Sequence, residues 1–306
     1  MTSLRFKDIP FELQATDIKK HILNVDSRFR EPGPGGSASD FQFRLLSPVK
    51  NVLRIRITSI ELPNNYYIFS SKRRNVVIRI FYGVDLASSA VIKIASGNYS
   101  AFEMVDALNT ALRAKGLPWL SVYYNLVTSA FTFIGNRVFA LDTALLTTPP
   151  SSLTWPRPCD YGLGYNLGFS YGIFDSSDPD ASGNRTITSD QLPYFAGDTY
   201  MFLKINDFDC VRQTIRGSDF TALAKIVVKE PKNYMSFDDY SGQHAKEVTF
   251  PTPQDLSRLQ VQLLDPYGEI LQMGSTNVSF SIEVLEIMNL SLYNTVRDAF
   301  AIGWKV

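Results

Sequence analysis

The stretch Phe41–Phe69, FQFRLLSPVKNVLRIRITSIELPNNYYIF, constrains this chain more than any other. Side chains alternate faces along a strand with a period of two. Phe41, Phe43 and Leu45 therefore share one face, and Ser47–Pro48 reads as a break. A second run then sets Val52, Ile55, Ile57 and Ser59 against Arg54, Arg56, Thr58 and Ile60. It ends at Leu62-Pro63-Asn64-Asn65, because proline has no ladder donor and asparagine favours turns. A strand of roughly eleven residues spans about 35 Å and needs a large sandwich or barrel around it.

Further alternating runs follow at Val76–Phe81, Val91–Ala95, Ser121–Val127, Phe131–Ile134, Val138–Leu141, Thr199–Ile205 and Leu223–Lys229. Three more stand at Val248–Phe250, Leu259–Leu264 and Val278–Met288, the last setting Val278, Phe280, Ile282 and Val284 against Ser279, Ser281 and Glu283. The period changes once. Phe102, Val105, Leu108 and Leu112 fall on one helical face over about residues 101–115. Ser100 with Glu103 makes a capping box at its start, and Gly116 and Pro118 stop it. About ten to twelve strands with one inserted helix predict a mostly all-β fold, an antiparallel β-sandwich of jelly-roll type with long loops.

The Gly/Pro-rich run Glu31–Ser37 marks residues 1–40 as an N-terminal arm with a hinge, and His21–Asp26 within it reads as a short strand. Such an arm either reaches a neighbouring subunit or packs back on its own sheet. Residues 41–290 read as the sandwich, with a long loop insertion at about 142–198, and Pro231–His244 as a further loop. Residues 291–306 form a tail in which Leu292, Val296 and Phe300 fall on one side of a short amphipathic helix.

Charge narrows the function. Thirty basic and thirty acidic residues cancel, which argues against a protein whose task is neutralising nucleic-acid phosphates. The start MTSLRFKDIP lacks an apolar signal core, and no apolar run approaches ~18 residues, so neither a secretory signal nor a transmembrane segment is expected. The Asn-x-Ser/Thr matches at Asn98, Asn184, Asn277 and Asn289 are then chance occurrences. Cys159 and Cys210 make no disulfide framework and are expected as buried apolar groups in a protein made in a reducing compartment.

The groups that carry catalysis are scarce. Any Ser-His-Asp or Cys-His arrangement has to use His21 or His244, and His244 sits in a polar loop. A Cys/His zinc site lacks ligands unless carboxylates complete it. Gly162-x-Gly164-x-x-x-Gly168 has the wrong spacing for a dinucleotide loop and is expected to turn the backbone tightly around Tyr165 and Phe169. Asp178-x-Asp180-x-Ser182-Gly183 starts like a Ca²⁺ loop, but Ser189 stands where the bidentate glutamate belongs, so an Asx-rich turn is expected. Lys72-Arg73-Arg74 reads as a solvated hairpin tip. Asp238-Asp239 has no second carboxylate cluster with which to share acid–base work. No catalytic residue, metal ligand or cofactor is assigned, and no enzymatic activity is expected.

Several segments together carry a resemblance: Ile22-Leu-Asn-Val-Asp-Ser-Arg-Phe-Arg30, Phe41-Gln-Phe-Arg-Leu45, Val49-Lys-Asn-Val52, Ile60-Glu-Leu-Pro-Asn64 with Tyr66-Tyr67, Ile94-Ala-Ser-Gly-Asn-Tyr-Ser100, Leu264-Asp-Pro-Tyr-Gly268 and Phe280-Ser-Ile-Glu283. This pattern resembles the minor virion structural proteins of nucleocytoplasmic large DNA viruses, including the penton-type proteins of icosahedral vertices. The resemblance spans most of the chain except 140–245, where only Tyr165–Phe169 contributes. It implies a jelly-roll virion protein in a capsid assembled in the host cytoplasm. Its partners would be the major capsid protein and other minor capsid proteins, or copies of itself in a homo-pentamer. It leaves the vertex and a cementing position under the facets both open. A competing class is a carbohydrate- or receptor-binding β-sandwich module, for which Trp155 in the loops 147–195 is the candidate contact.

Overall fold

In a computed structural model of the chain, the residues described are 17–32, 36–144, 162–215, 218–230, 234–238, 247–274 and 276–303. They form two compact units, one comprising residues 1–66 and 199–306 and the other 67–198. The expected single sandwich over 41–290 with an insertion at about 142–198 draws these boundaries differently. The first unit opens with β1 (Ile18–Asp26) and β2 (Asp40–Pro63). The second holds β3 (Val77–Tyr82), β4 (Ser88–Lys93), α1 (Ala101–Ala114), β5 (Leu120–Asn125), β6 (Ala130–Gly135) and β7 (Phe139–Asp142), then α2 (Leu163–Asn166), β8 (Ile173–Asp175) and β9 (Arg185–Thr188). The first unit resumes with β10 (Tyr200–Ile205), β11 (Val211–Ile215), β12 (Ser218–Ala222), β13 (Ala224–Val227) and β14 (Met235–Asp238). It closes with β15 (Glu247–Leu264), β16 (Ser279–Ile287) and α3 (Leu290–Gly303). The expected class is observed: curled antiparallel β-sheets with few helices.

In the first unit one sheet runs β1-β16-β2-β15-β10-β13, with β14 also paired to β2 and a separate β11-β12 hairpin. β2 is longer than its sequence suggests because two interruptions in the pattern are bulges and not strand ends. Opposite β16 the register passes from Ser281↔Ser59 to Ile282↔Ile57, leaving Thr58 as an extra residue. It slips again between Leu285↔Arg54 and Glu286↔Val52, with Leu53 extra. Each extra residue reverses which face the next side chain takes. That is how Val52, then Ile55 and Ile57, then Ile60 and Leu62 all become buried. Ile60, expected on the arginine face, is therefore a core residue.

Prolines are accommodated in the same way. Ser47–Pro48 does not break β2. It lies in a register gap opposite β15, where the ladder asks for no amide and Leu46 projects fully into solvent. Pro251 and Pro253 occupy another such gap, which joins the two short strands expected at 248–250 and 259–264 into the eighteen residues of β15. On the outer face Lys20, Glu283, Arg54 and Glu247 form a charge ladder across four strands, at 3.7, 3.4 and 3.7 Å. Exposed pairs of this kind contribute about 0–1 kcal/mol each, so the core on the other face dominates.

Of the two alternatives for the N-terminal segment, residues 18–26 follow the second and pack back on their own sheet. The strand expected at His21–Asp26 starts at Ile18 and pairs residue for residue from Asp26↔Ser279 through Ile18↔Ile287. Residues 1–16 and the hinge residues 33–35 lie outside the described residues. Part of the expected loop 231–244 is β14, paired with Ile60–Pro63. The helix expected in the tail is α3, with Val296 buried and Leu292 half-buried.

In the second unit a four-stranded sheet, β4-β3-β7-β8, and a three-stranded sheet, β5-β6-β9, share one core with α1. The capping box at Ser100 and Glu103 is formed. The buried stripe of α1 is Met104, Leu108 and Leu112. Phe102, expected on that face, is exposed and meets Tyr124 edge to face at 5.8 Å. Asn109 joins helix to sheet: its Nδ2 donates to the Val122 carbonyl at 2.9 Å and its Oδ1 accepts from the Val122 amide at 2.8 Å. The side chain thus acts as a one-residue strand partner at the edge of β5.

Deleting Thr58 should expose Ile60 and Leu62 and abolish cooperative unfolding, whereas Thr58→Ala should cost no more than about 1 kcal/mol in a denaturant titration. Asn109→Leu should cost about 1–3 kcal/mol for each Val122 group left unpartnered, read from the same titration. The Glu103 carboxyl is held below its ordinary value of 4.5, first by the Ser100 amide and then by the Ser100 hydroxyl. Its folded value is the lower one, so the stability it contributes is present above that ordinary value and is lost as pH falls. Glu103→Gln should flatten that acid limb of the stability–pH curve, and Ser100→Ala, which keeps the amide, should flatten it only in part.

Candidate functional site

Most residues with chemical potential are engaged in structure. His21 Nε2 lies 2.6 Å from Glu286 Oε2, both half-buried at the sheet edge, a pairing that orients the ring but presents no nucleophile. His244, Asp239, Cys159 and Trp155 lie outside the described residues. Asp238 sits in β14 opposite Ile60. Cys210 is exposed, correcting the expectation of burial, and its thiol donates to the Glu247 carbonyl at 2.7 Å. Among the described residues no group of three or more His, Cys, Asp or Glu is placed to hold a metal ion.

The two glycine and aspartate motifs are also structural. The Gly162–Gly168 segment is the single helical turn α2 and not the irregular loop expected. A Cβ on Gly164 would stand 2.6 Å from Thr143 Cβ, and Gly168, at φ 86°, has no room for one against the Gln191 carbonyl. The tight turn expected around Tyr165 and Phe169 is real, and Phe169 is fully buried. In the expected Asx turn, Asp180 Oδ1 accepts the amides of Ser182 and Asn184, both at 2.8 Å. Of the basic triplet only Lys72 is a solvated tip. Arg73 is largely buried and ion-paired to Asp198, and Arg74 takes a left-handed φ of 57°.

A polar network absent from the sequence reading ties this region together. Asn75 accepts from the Ser70 amide at 2.9 Å, donates to the Ile68 carbonyl at 2.8 Å and meets Asn166 at 3.4 Å. Asn166 donates on to the Tyr194 carbonyl at 2.8 Å, and Asn98 accepts from the Ile68 amide at 2.8 Å. Single asparagines give no periodic signal. Burial, with Asp198 and Tyr165 nearby, raises the Tyr194 phenol above its ordinary value.

Two features of the first unit face outward with evident organisation. The first is the turn Asp26–Arg30 that follows β1. The buried Asp26 carboxylate accepts from Arg28 Nε at 2.9 Å, Arg28 Nη2 at 2.5 Å and the Arg28 amide at 2.9 Å. The Arg28 side chain is the first cause holding the Asp26 carboxyl below its ordinary value of 3.8, against the opposing effect of burial. Ser27, with no exposed surface, donates to Asn277 Oδ1 at 3.1 Å and accepts from the Val278 amide at 3.0 Å. The second feature is a cleft of about 720 Å³ between β10, the turn after it and the bulged part of β15. Phe208, Phe250 and Leu256 form its apolar floor, and Lys204, Asp207 and Asp255 stand around it.

No family model and no curated protein matches this chain. Among solved structures, a mavirus penton protein superposes over 88% of this chain and 99% of its own, at 10% identity and a TM-score of 0.44. A complex of the two major capsid proteins of bacteriophage P23-77 matches 87% of this chain and 98% of its own, at 10% identity and a TM-score of 0.19. No helix among the described residues is long and apolar enough to cross a membrane.

Gly168→Ala should lower the unfolding midpoint more than Gly116→Ala, because both glycines have positive φ but only Gly168 meets backbone within contact distance. Differential scanning fluorimetry of the two variants checks this. The Asp26 clamp should weaken as pH falls below 3.8, the ordinary value above which its contribution is present. Asp26→Asn should remove that dependence.

Proposed function

We propose that this chain is a structural virion protein, a minor capsid protein of jelly-roll type that contacts the major capsid protein and stabilises an icosahedral shell. The observation that carries the reading is where the residues of the capsid-protein resemblance fall in the fold. Asp26, Ser27 and Arg28 make the clamp that anchors the end of β1 to Val278. Asn51, at φ 49°, donates its amide to Asp255 at a register shift of β2. Asn98 and Ser100 hold the entry to α1. Asp265 accepts the Tyr267 and Glu269 amides, both at 2.9 Å, in the turn closed by Gly268. The resemblance is therefore one of scaffold positions, as suits a protein whose product is a surface and not a reaction.

The vertex is the narrower version of this reading. A stable pentamer measured in solution would support it, and a chain that orders only with other capsid proteins would support a place under the facets. Quantitative mass spectrometry of purified particles tests the proposal itself. The protein should be present at a fixed ratio below that of the major capsid protein, and its absence from particles rejects the reading. Since β1 belongs to the sheet, the informative truncation removes residues 2–16 and spares Ile18–Asp26. That variant should keep its melting temperature and fall in particle occupancy if the arm makes contacts between subunits.

A further inference from the structure

Phe29 is an aromatic side chain held in solvent by an unusually complete support. Its ring is 72% exposed, yet the residues on either side are fixed. Arg28, bound on three atoms by Asp26, places its guanidinium 5.7 Å from the centre of the Phe29 ring. Arg30 Nη1 donates to the Ser27 carbonyl at 2.7 Å, closing the turn. An exposed aromatic in a turn already fixed has surrendered the freedom that docking otherwise costs, and aromatic and arginine side chains dominate the energetics of protein contacts.

The cleft of the same unit has the matching chemistry. Phe208 and Phe250 meet edge to face at 5.1 Å beneath it, each with only a sliver of ring exposed, and the open cleft above them has a volume of about 720 Å³. Charge supplies the complementarity. Arg258 on the rim is balanced by Glu31 at 3.6 Å, which leaves in the lining one lysine, Lys204, and two carboxylates, Asp207 and Asp255, the latter accepting the Asn51 amide. On the turn, Arg28 is balanced by Asp26, and Arg30 has no carboxylate partner among the described residues. One surplus cation beside an exposed ring thus corresponds to one surplus anion beside an aromatic floor.

We propose that the Phe29–Arg30 turn of one copy docks into the Phe208/Phe250 cleft of a second copy, with Arg30 facing Asp207. The contact deepens the shell reading without resting on it, because self-association and presence in particles are measured separately. Sedimentation velocity of the full chain over a concentration series should show reversible self-association. Phe29→Ala should weaken it at least about 30-fold, the loss typical of a contact hot spot. Arg30→Glu and Asp207→Lys should each weaken it, and the double variant Arg30→Glu/Asp207→Lys should recover the charge-dependent part of the loss, though not the Arg30 contact with the Ser27 carbonyl. Unchanged melting temperatures establish that the variants fold. A chain that stays monomeric, an oligomer indifferent to Phe29→Ala, or a double variant no better than the singles overturns the proposal. So does a cleft found to bind a glycan or peptide while the chain remains monomeric.

Discussion

The first unit depends on β2 as its central strand, paired with β15 over Asp40–Arg56, with β16 over Val52–Glu61 and with β14 over Ile60–Pro63. Antiparallel ladders satisfy backbone amides and carbonyls in the buried part of this twenty-four-residue strand that would otherwise be costly to bury. Both β15 and β16 must also present their apolar residues to the same side. The extra residues Leu53 and Thr58 achieve this by resetting the phase wherever the run of buried side chains departs from strict alternation. Ile55, Ile57, Ile60 and Leu62 then join one core with Phe280, Ile282 and Val284 of β16. Full burial of each such side chain contributes about 1.5–3 kcal/mol, so the bulges decide whether that term is available at all.

How much of this was legible in the sequence follows from the kind of signal each element sends. Strict alternation found β16, with Phe280, Ile282 and Val284 inward, and the capping pattern found α1 to within a residue at each end. Proline misled the reading at Pro48 and Pro251, because a chain read in one dimension cannot show that those amides face no ladder partner. β14 and the β11-β12 hairpin escaped notice, being short and polar, with pairing supplied by distant residues. Phe102 was drawn to the wrong face by its hydrophobicity, since the stripe that packs on the sheet is Met104, Leu108 and Leu112.

The residues that first suggested chemistry show a common pattern. Asp180 is consumed by backbone amides, Arg73 by Asp198, His21 by Glu286 and the Gly162–Gly168 glycines by close packing. Among the described residues, the organised features that face outward include fixed turns and a cleft lined by both charges and rings. Spacing along the chain gives no hint of that cleft, because its lining comes from β10, the turn after it and the bulged stretch of β15. Asp26 and Arg28, by contrast, are two residues apart, and their pairing was within reach of a local reading.

The first unit is built from two stretches of chain separated by the whole of the second. On a ribosome the second unit can close once residues 67–198 have emerged, while β2 waits unpaired for residues 247–287 to be made. Throughout that interval a long apolar strand offers both its edges to any other nascent chain. Its charged outer face, with Arg54 and Arg56, then acts as a guard against misassociation before it serves the finished sheet. Closure of the first unit is therefore a long-range event that waits on the last part of the chain, a matter separate from how stable the completed protein is.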